Sequence, residues 1–349
     1  GGIGIIALFV AIISNIGVRA NQLFKAEVPG PIADKISPRI RETARNLWKT
    51  YAIISLLCLV TLYALGMDFF DAICHSFSTM STGGFSTKNA SIAYYSSPWI
   101  QWAIIFFMFL GGTNFTLHYM FYKKRSLKPY IKNIEFKFYT AIILVATFLI
   151  AINLTQDAGG AIMNWEERIR AGCFQVVSIL TTTGYASTDY DLWPHQAGII
   201  VLLMMFVGGC AGSTSGNIKP GRYLIVLQSS VIELKKMVHP KAIMPLRYGG
   251  KVLNEDLIIN VLQFFFLYFS ILVAGMIVMS MLGLDYISSL TASATCLGNI
   301  GPGFAQVGPT QNFSFIPDVG KYVLILEMLV GRLEIYPLLV MLLPAFWRE

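Results

Sequence analysis

Long apolar stretches alternate along the chain with short segments of small and hydroxylated residues. Stretches near the roughly 20 residues that a membrane-crossing helix needs lie at 48–67, 99–122, 138–155, 196–208, 256–282 and 320–345, and another apolar segment occupies 3–18. The stretch at 196–208 is shorter because glycines and small polar residues interrupt it. The pattern predicts an all-α polytopic membrane protein.

Three glycine-centred segments recur between these stretches. They lie at 81–86 (STGGFS), 181–186 (TTTGYA) and 298–303 (GNIGPG). Each follows a short semi-polar segment, predicted as a short helix near 70–80, 165–180 and 286–297, and precedes a longer apolar one. Backbone that stops halfway through a membrane is tolerated only where it is buried in protein or lines a water-filled path. The repeat therefore predicts helix–pore-loop–helix units around a pore.

The order of helix, short helix, glycine turn and helix occurs three times. We expect the second, third and fourth pore units at 48–122, 138–223 and 256–349, with an intramembrane loop at 208–217 and cytoplasmic connections at 19–47, 123–137 and 224–255. Three units do not close a four-sided pore. The segment 1–18 is therefore expected to be the closing helix of a truncated first unit, and the predicted fold is a pseudo-fourfold pore.

Composition and charge strengthen this interpretation. The chain is 55% hydrophobic and only 13% charged, whereas soluble domains carry about 25% charged residues. The net charge is +7, but 20 of the 26 Lys and Arg residues lie in 17–49, 123–137 and 219–251. Such basic connections face the cytoplasm, so the glycine segments enter from outside. The positive charge reflects topology and does not indicate nucleic-acid binding.

The glycine segments have the chemistry of a cation site. Glycine permits positive φ and leaves carbonyl groups exposed, and rings of backbone carbonyls replace the hydration shell of a cation. Short helices whose carboxyl ends point at the same centre add partial negative charge. The alternative is glycine turns between packed helices, which explains a single TGGF well but three such segments in register poorly.

Two further features stand out within apolar sequence. The run 208–217 consists of small or hydroxylated residues, and each interior glycine costs a helix about 1 kcal/mol relative to alanine. An intramembrane enzyme holding a lipid phosphate there is an alternative, but the GxxxxGK[ST] spacing and a nearby general base or metal set are missing. Arg332 lies in an apolar helix, where a charge faces a cavity or a partner; an ion pair with Glu334 or Glu327 is its alternative role.

The runs 77–87 (FSTMSTGGFST), 178–185 (SILTTTGY), 294–303 (ATCLGNIGPG), 208–216 (GGCAGSTSG) and 331–335 (GRLEI) resemble the Trk/Ktr/HKT superfamily of potassium transporters, and within it the bacterial TrkH-type potassium-uptake membrane subunits. The resemblance covers essentially the whole chain. It implies a K⁺ filter formed by Ser81, Thr82, Gly83, Gly84, Thr181, Thr182, Thr183, Gly184, Gly298, Asn299, Ile300 and Gly301. It also implies a gate formed by Gly208, Gly209, Gly212, Ser213, Thr214, Gly216 and Arg332.

The resemblance further implies a multi-pass protein of the bacterial inner membrane that is not an enzyme, transports K⁺, has no covalently bound cofactor and forms a homodimer. A cytoplasmic TrkA-type regulatory subunit that binds NAD or adenine nucleotides is the expected partner, with the basic segment 221–251 as its docking site. A sodium-permeable or cation-symporting member of the superfamily is the nearer alternative. Serine in place of a filter glycine is associated there with sodium permeation; the three loops keep glycine, but the first loop is absent from this sequence.

Overall fold

The structure, a computed structural model, describes residues 40–156, 162–242, 244–342, 344 and 347. The helix expected at 1–18 and most of the connection at 19–47 lie outside the described residues. The α-helices are α1 (Ile40–Ala64), α2 (Phe69–Met80), α3 (Pro98–Gly111), α4 (Phe115–Lys124), α5 (Lys128–Lys132), α6 (Ile134–Asn153), α7 (Trp165–Leu180), α8 (His195–Met204), α9 (Pro220–Val238), α10 (Glu255–Met281), α11 (Tyr286–Gly298), α12 (Asp318–Arg332) and α13 (Tyr336–Leu342). Strands β1 (Arg247–Tyr248) and β2 (Lys251–Val252) form an antiparallel hairpin between α9 and α10.

Three of these helices are long and apolar enough to cross a membrane: α1, α6 and α10. Many of their large apolar side chains are exposed, such as Leu56, Phe148 and Phe266. On a soluble protein such a surface would be an aggregation liability, whereas in a bilayer it faces lipid. The described part of the chain is thus a helical membrane protein, as predicted.

The three short helices expected before the glycine loops are confirmed as α2, α7 and α11. Each begins at a side chain that accepts a hydrogen bond from a backbone N–H of the first turn: Asp68, Asn164 and Asp285. Such caps stabilise a helix start by about 1 kcal/mol. Each short helix packs against the long helix before it, α2 on α1, α7 on α6 and α11 on α10, so the same helix pair precedes each glycine loop.

Two stretches that hydropathy presents as single apolar runs each form two helices. The stretch 99–122 divides into α3 and α4, which meet at an angle of 97°, because Asn114 caps a new helix by accepting from the Thr116 N–H at 2.8 Å. The stretch 320–345 divides into α12 and α13 at a turn in which Glu334 and Ile335 adopt φ of 59° and 66°. Hydropathy indicated the extent of these segments but not the positions of the two breaks.

Candidate functional site

The three glycine loops share one backbone conformation. The second residue of each loop adopts a left-handed conformation, and so does the fourth: Thr82 (51°), Thr182 (56°) and Asn299 (56°), then Gly84 (68°), Gly184 (81°) and Gly301 (112°). The residue before the first of these is the helix C-cap in two of the loops, Ser81 and Thr181, with φ of −81° and −79°. The three loops therefore repeat the same two left-handed positions.

The loops stand side by side in a repeated relation. A Cβ added to Gly84 would lie 1.9 Å from the Thr183 carbonyl oxygen, and one added to Gly184 would lie 2.2 Å from the Ile300 carbonyl oxygen. Beside Gly301 the described residues leave that position open. The loop at 81–86 therefore contacts the loop at 181–186 in the same way as that loop contacts the loop at 298–303. Only glycine permits this close approach.

Hydroxyl groups of the loops turn back to their own short helices. Ser81 donates to the Ser78 carbonyl at 3.3 Å, and Thr181 donates to the Val177 carbonyl at 2.7 Å. The Thr183 hydroxyl lies 2.8 Å from the Thr181 hydroxyl. These three side chains are therefore satisfied within the loop and its own short helix.

The residues that follow the glycine loop at 81–86 are hydrogen-bonded to α2. Asp71, which is buried, accepts from the Thr87 hydroxyl at 2.7 Å and the Tyr95 hydroxyl at 2.8 Å, and pairs with Lys88 at 3.0 Å. The hydrogen bond to Asp71 raises the pKa of Lys88. His75 contacts the Asp71 carbonyl and the Ser86 hydroxyl through its two ring nitrogens, at 2.7 and 2.9 Å. Both ring nitrogens of this buried histidine are therefore satisfied.

The run 208–217 is non-helical, and we refer to it as the small-residue loop. It lies against the helix-proximal ends of the three glycine loops. The Thr214 carbonyl accepts from the Thr82 hydroxyl at 3.0 Å and from Arg332 Nη1 at 3.1 Å. The Gly216 N–H donates to the Thr182 hydroxyl at 2.7 Å, and a Cβ on Gly216 would lie 2.8 Å from the Gly298 carbonyl oxygen.

The bend between α3 and α4 holds the other side of the small-residue loop. The Gly111 carbonyl accepts from the Thr214 N–H at 3.2 Å and its hydroxyl at 3.0 Å, and the Gly112 carbonyl accepts from the Cys210 N–H at 2.8 Å. In return the Gly212 carbonyl accepts from the Phe115 N–H at 3.0 Å. The broken helix supplies carbonyls that a continuous helix would use internally.

The remaining predicted gate residues pack or form hydrogen bonds within the small-residue loop and against the α3–α4 bend. Gly208 and Gly209 pack against the Gly216 and Gly112 carbonyls, where added Cβ atoms would lie 2.4 and 2.7 Å away. The Ser213 hydroxyl accepts from the Ser215 N–H at 3.3 Å. The loop is therefore compact, and its glycines permit that close packing.

Two buried charged side chains that the sequence analysis did not assign also hold the small-residue loop. Glu135 on α6 accepts from the N–H groups of Ala211 and Gly221 at 3.0 and 3.1 Å. Lys219 donates to the carbonyls of Ser215 and Gly216 at 2.5 and 3.2 Å. Both lie in stretches that the sequence analysis treated as basic cytoplasmic connections, 123–137 and 219–251, so nothing in the sequence indicated their burial.

Arg332 reaches the small-residue loop, as expected, but the alternative acidic partners are engaged elsewhere. Glu334 forms an ion pair with Arg222 at the start of α9, and the Arg222 guanidinium lies 3.9 Å from the centre of the Phe264 ring. The Ser293 hydroxyl lies 2.7 Å from Glu327 Oε1. In the part of the chain that the structure describes, no group of three or more His, Cys, Asp or Glu side chains could hold a metal ion.

Comparison with known proteins identifies the family. The family model described as TrkH, cation transport protein, matches residues 1–348. The chain belongs to the TrkH family of cation transport proteins. The Trk system potassium uptake protein TrkH of Escherichia coli K12 is 40% identical over all of this chain and 72% of that protein. Trk system potassium uptake protein TrkI of Halomonas elongata is 34% identical, over all of this chain and 70% of that protein.

The fold agrees with the family. The crystal structure of the potassium transporter TrkH from Vibrio parahaemolyticus superimposes with a TM-score of 0.84 at 36% identity, over 99% of this chain and 70% of that one. These TrkH-family relatives are bacterial, and the described helices include membrane-span candidates. The chain is a multi-pass protein of the bacterial inner membrane.

Proposed function

We propose that this chain is a potassium-uptake membrane subunit that conducts K⁺ inward through a filter of backbone carbonyls. The filter consists of residues 81–84, 181–184 and 298–301, within pore units at 48–122, 138–223 and 256–349. The observation that carries the proposal is the shared left-handed pattern of the loops, together with the repeated contact of Gly84 with Thr183 and of Gly184 with Ile300. Relatives named potassium uptake proteins support K⁺ as the ion.

The small-residue loop is the proposed gate. It contacts all three filter loops and is held there by hydrogen bonds, including that from Arg332 to the Thr214 carbonyl. A guanidinium beside the filter also repels a permeating cation. Both effects favour a non-conducting pore while the loop is in this position.

The gate is tested with the variant Arg332→Ala in the full-length protein, reconstituted in proteoliposomes. We expect K⁺ influx to rise several-fold, because one loop contact and one repelling charge are both lost. Arg125→Ala, which removes an exposed cation at the end of α4, is the matched control and should leave the influx unchanged. Equal influx in Arg332→Ala and wild type would remove Arg332 from the gate.

Selectivity is tested with the same preparation by comparing K⁺, Rb⁺ and Na⁺ influx. Glycine at the fourth position of each loop keeps the carbonyls in place without a side chain, and we expect K⁺ and Rb⁺ to be preferred over Na⁺. Equal permeability to Na⁺ and K⁺ would favour the sodium-permeable alternative within the same superfamily.

Regulation by a cytoplasmic nucleotide-binding subunit of the TrkA type, and assembly as a homodimer, complete the proposal. The last turn of α9 carries Lys235, which is exposed, and Lys236, which pairs with Glu233 at 2.7 Å. A basic helix end suits an acidic docking surface. Co-purification of the partner should fall when both lysines are changed to glutamate, with Lys123→Glu and Lys124→Glu on α4 as the matched control. Unchanged co-purification would exclude α9 as the docking site.

A further inference from the structure

Glu327 is a carboxyl group buried on α12, outside the residues proposed for the filter and the gate. Its side chain belongs to a residue that is 4% exposed, and no ion pair involves it among the described residues. An isolated carboxylate in an apolar medium is so costly that the group ordinarily takes up a proton instead. An ionisable residue at membrane depth is also a candidate functional group.

Both hydrogen bonds of the Ser293 hydroxyl can form together if Glu327 carries a proton. The Ser293 hydroxyl lies 2.7 Å from Glu327 Oε1 and 3.1 Å from the Leu272 carbonyl oxygen. With an ionised carboxylate, two acceptors compete for the single hydroxyl proton. With a protonated carboxyl, Glu327 donates to Ser293 and Ser293 donates to Leu272, so each contact joins a donor to an acceptor.

The second carboxyl oxygen supports the same assignment. Oε2 of Glu327 is buried and has no hydrogen-bond partner among the described residues. A buried acceptor without a donor is costly, and more so when it carries charge. A neutral acid leaves only an uncharged carbonyl oxygen in that position.

The site is built by three helices. Gly275 on α10 makes room for the carboxyl, since a Cβ there would lie 1.8 Å from Glu327 Oε1 and 2.6 Å from the Ser293 hydroxyl oxygen. The titratable groups that interact with Glu327 from the packed helices are Tyr268 on α10 and Cys296 on α11. Neither group is cationic, so neither stabilises a carboxylate.

The segment that carries Glu327 also forms the back of the fourth-unit filter loop. The next residue, Met328, accepts through its carbonyl from the Asn299 side chain at 3.2 Å. One turn further, a Cβ on Gly331 would lie 1.8 Å from the Leu297 carbonyl oxygen. Charging Glu327 would strain the packing of α12 against α11, directly behind residues 298–301.

We propose that Glu327, Ser293 and Gly275 form a proton-binding site. Glu327 holds a proton at neutral pH, and release of that proton under alkaline conditions loosens α12 from α11 and lowers conduction through the filter. Occupancy of the site by a proton does not depend on which ion the pore conducts, so this inference goes beyond the proposed function.

The proton is detected directly by infrared difference spectroscopy of the full-length protein between neutral and alkaline pH. We expect wild type to show the C=O stretch of a protonated carboxyl that disappears on alkaline titration. Glu327→Gln should lack this band, and Glu166→Gln, which removes an exposed carboxylate on α7, should keep it. An identical band in Glu327→Gln, or no such band in wild type, would overturn the assignment.

The consequence is measured by K⁺ influx over the same pH range and by thermal unfolding from acid to alkaline pH. Influx should fall in wild type as the infrared band disappears. The unfolding temperature should fall with rising pH below that range, where only the native state holds the proton, and should level off as the band disappears. Glu327→Gln should lack both changes. A Glu327→Gln profile that follows wild type would refute the link to the filter. If the pore conducted no K⁺ at all, the proposed function would fail, while the band and the unfolding curve would still decide the proton site.

Ser293→Ala keeps the carboxyl and decides the case if Glu327→Gln does not fold. In the proposed arrangement Ser293 accepts from the protonated form, so its removal should lower the pH at which the band disappears. A shift to higher pH would mean that Ser293 instead donates to a carboxylate, and would overturn the proposal.

Discussion

Replacing Gly84 by alanine is the most direct test of the filter geometry. Gly84 adopts φ of 68°, and a Cβ there would lie 1.9 Å from the Thr183 carbonyl oxygen of the neighbouring loop. The left-handed conformation alone costs an L-residue about 1–2 kcal/mol. The contact is the larger effect, because it falls on a carbonyl that lines the proposed path and cannot rotate away like a side chain.

The size of the displacement follows from the contact distance. Real Cβ atoms essentially never approach another atom within 3.0 Å, so the two loops must separate by about 1 Å. Functional groups have to be held within about 0.5 Å of their working positions. We therefore expect Gly84→Ala to lose at least about tenfold of the preference for K⁺ over Na⁺, which corresponds to ~1.4 kcal/mol.

Gly83 provides the matched control in the same loop. It lies outside the left-handed region, and its nearest neighbour would be the Ser81 hydroxyl oxygen at 3.2 Å, at the end of a side chain. Gly83→Ala should stay within about twofold of wild type, the usual range for a mild substitution. Gly301 adopts φ of 112°, but a Cβ there would meet open space among the described residues. Gly301→Ala should therefore strain the backbone without a clash against a neighbouring loop.

The assay is influx of K⁺ and Na⁺ into proteoliposomes at matched protein content, with folding checked by thermal unfolding. The reasoning is refuted if folded Gly84→Ala keeps the wild-type K⁺ to Na⁺ ratio. It is also refuted if Gly83→Ala loses as much selectivity as Gly84→Ala.

Two further predictions concern the small-residue loop and the bend that supports it. Thr182→Val keeps the shape of the side chain but removes the acceptor of the Gly216 N–H. Because a buried donor left unsatisfied costs about 1–3 kcal/mol, the closed position of the loop is destabilised and K⁺ influx should rise. Unchanged influx would mean that this bond does not hold the gate closed. Asn114→Ala removes the cap of α4 and should lower the free energy of unfolding by about 1 kcal/mol, as measured by denaturant titration. An unchanged free energy would show that Gly111 and Gly112 fix the bend without the cap.

The sequence could predict the parts of the fold that depend on periodic or repeated signals. The starts of α2, α7 and α11 follow from a polar cap before an apolar segment, and their ends follow from the glycine loops. Conformation at Gly84 and Gly184 was predictable because glycine is the residue that the left-handed region favours. The same region at Thr82 and Thr182 was not, since threonine rarely adopts it and only the neighbouring contacts impose it.

The supports of the small-residue loop were beyond the sequence for a different reason. Its partners lie far along the chain: Gly111 is 103 residues from Thr214, Glu135 is 76 residues from Ala211, and Arg332 is 118 residues from Thr214. Hydropathy treats 99–122 as one apolar run, so the carbonyls released at the bend are invisible to it. The pair of glycines before Asn114 was the available signal.

The composition of the small-residue loop suits an element that must move. Its contacts are hydrogen bonds to backbone and polar groups, each of which contributes about 0.5–1.5 kcal/mol net because water can replace the partner. Displacing it therefore costs on the order of 5 kcal/mol for a handful of bonds, and little apolar surface is exposed. Shifting a two-state equilibrium from 1:99 to 99:1 takes about 5.5 kcal/mol, which is within the range of differential binding by a regulatory partner. A gate built from apolar side chains at the same place would pack more tightly and would be harder to open into a water-filled path.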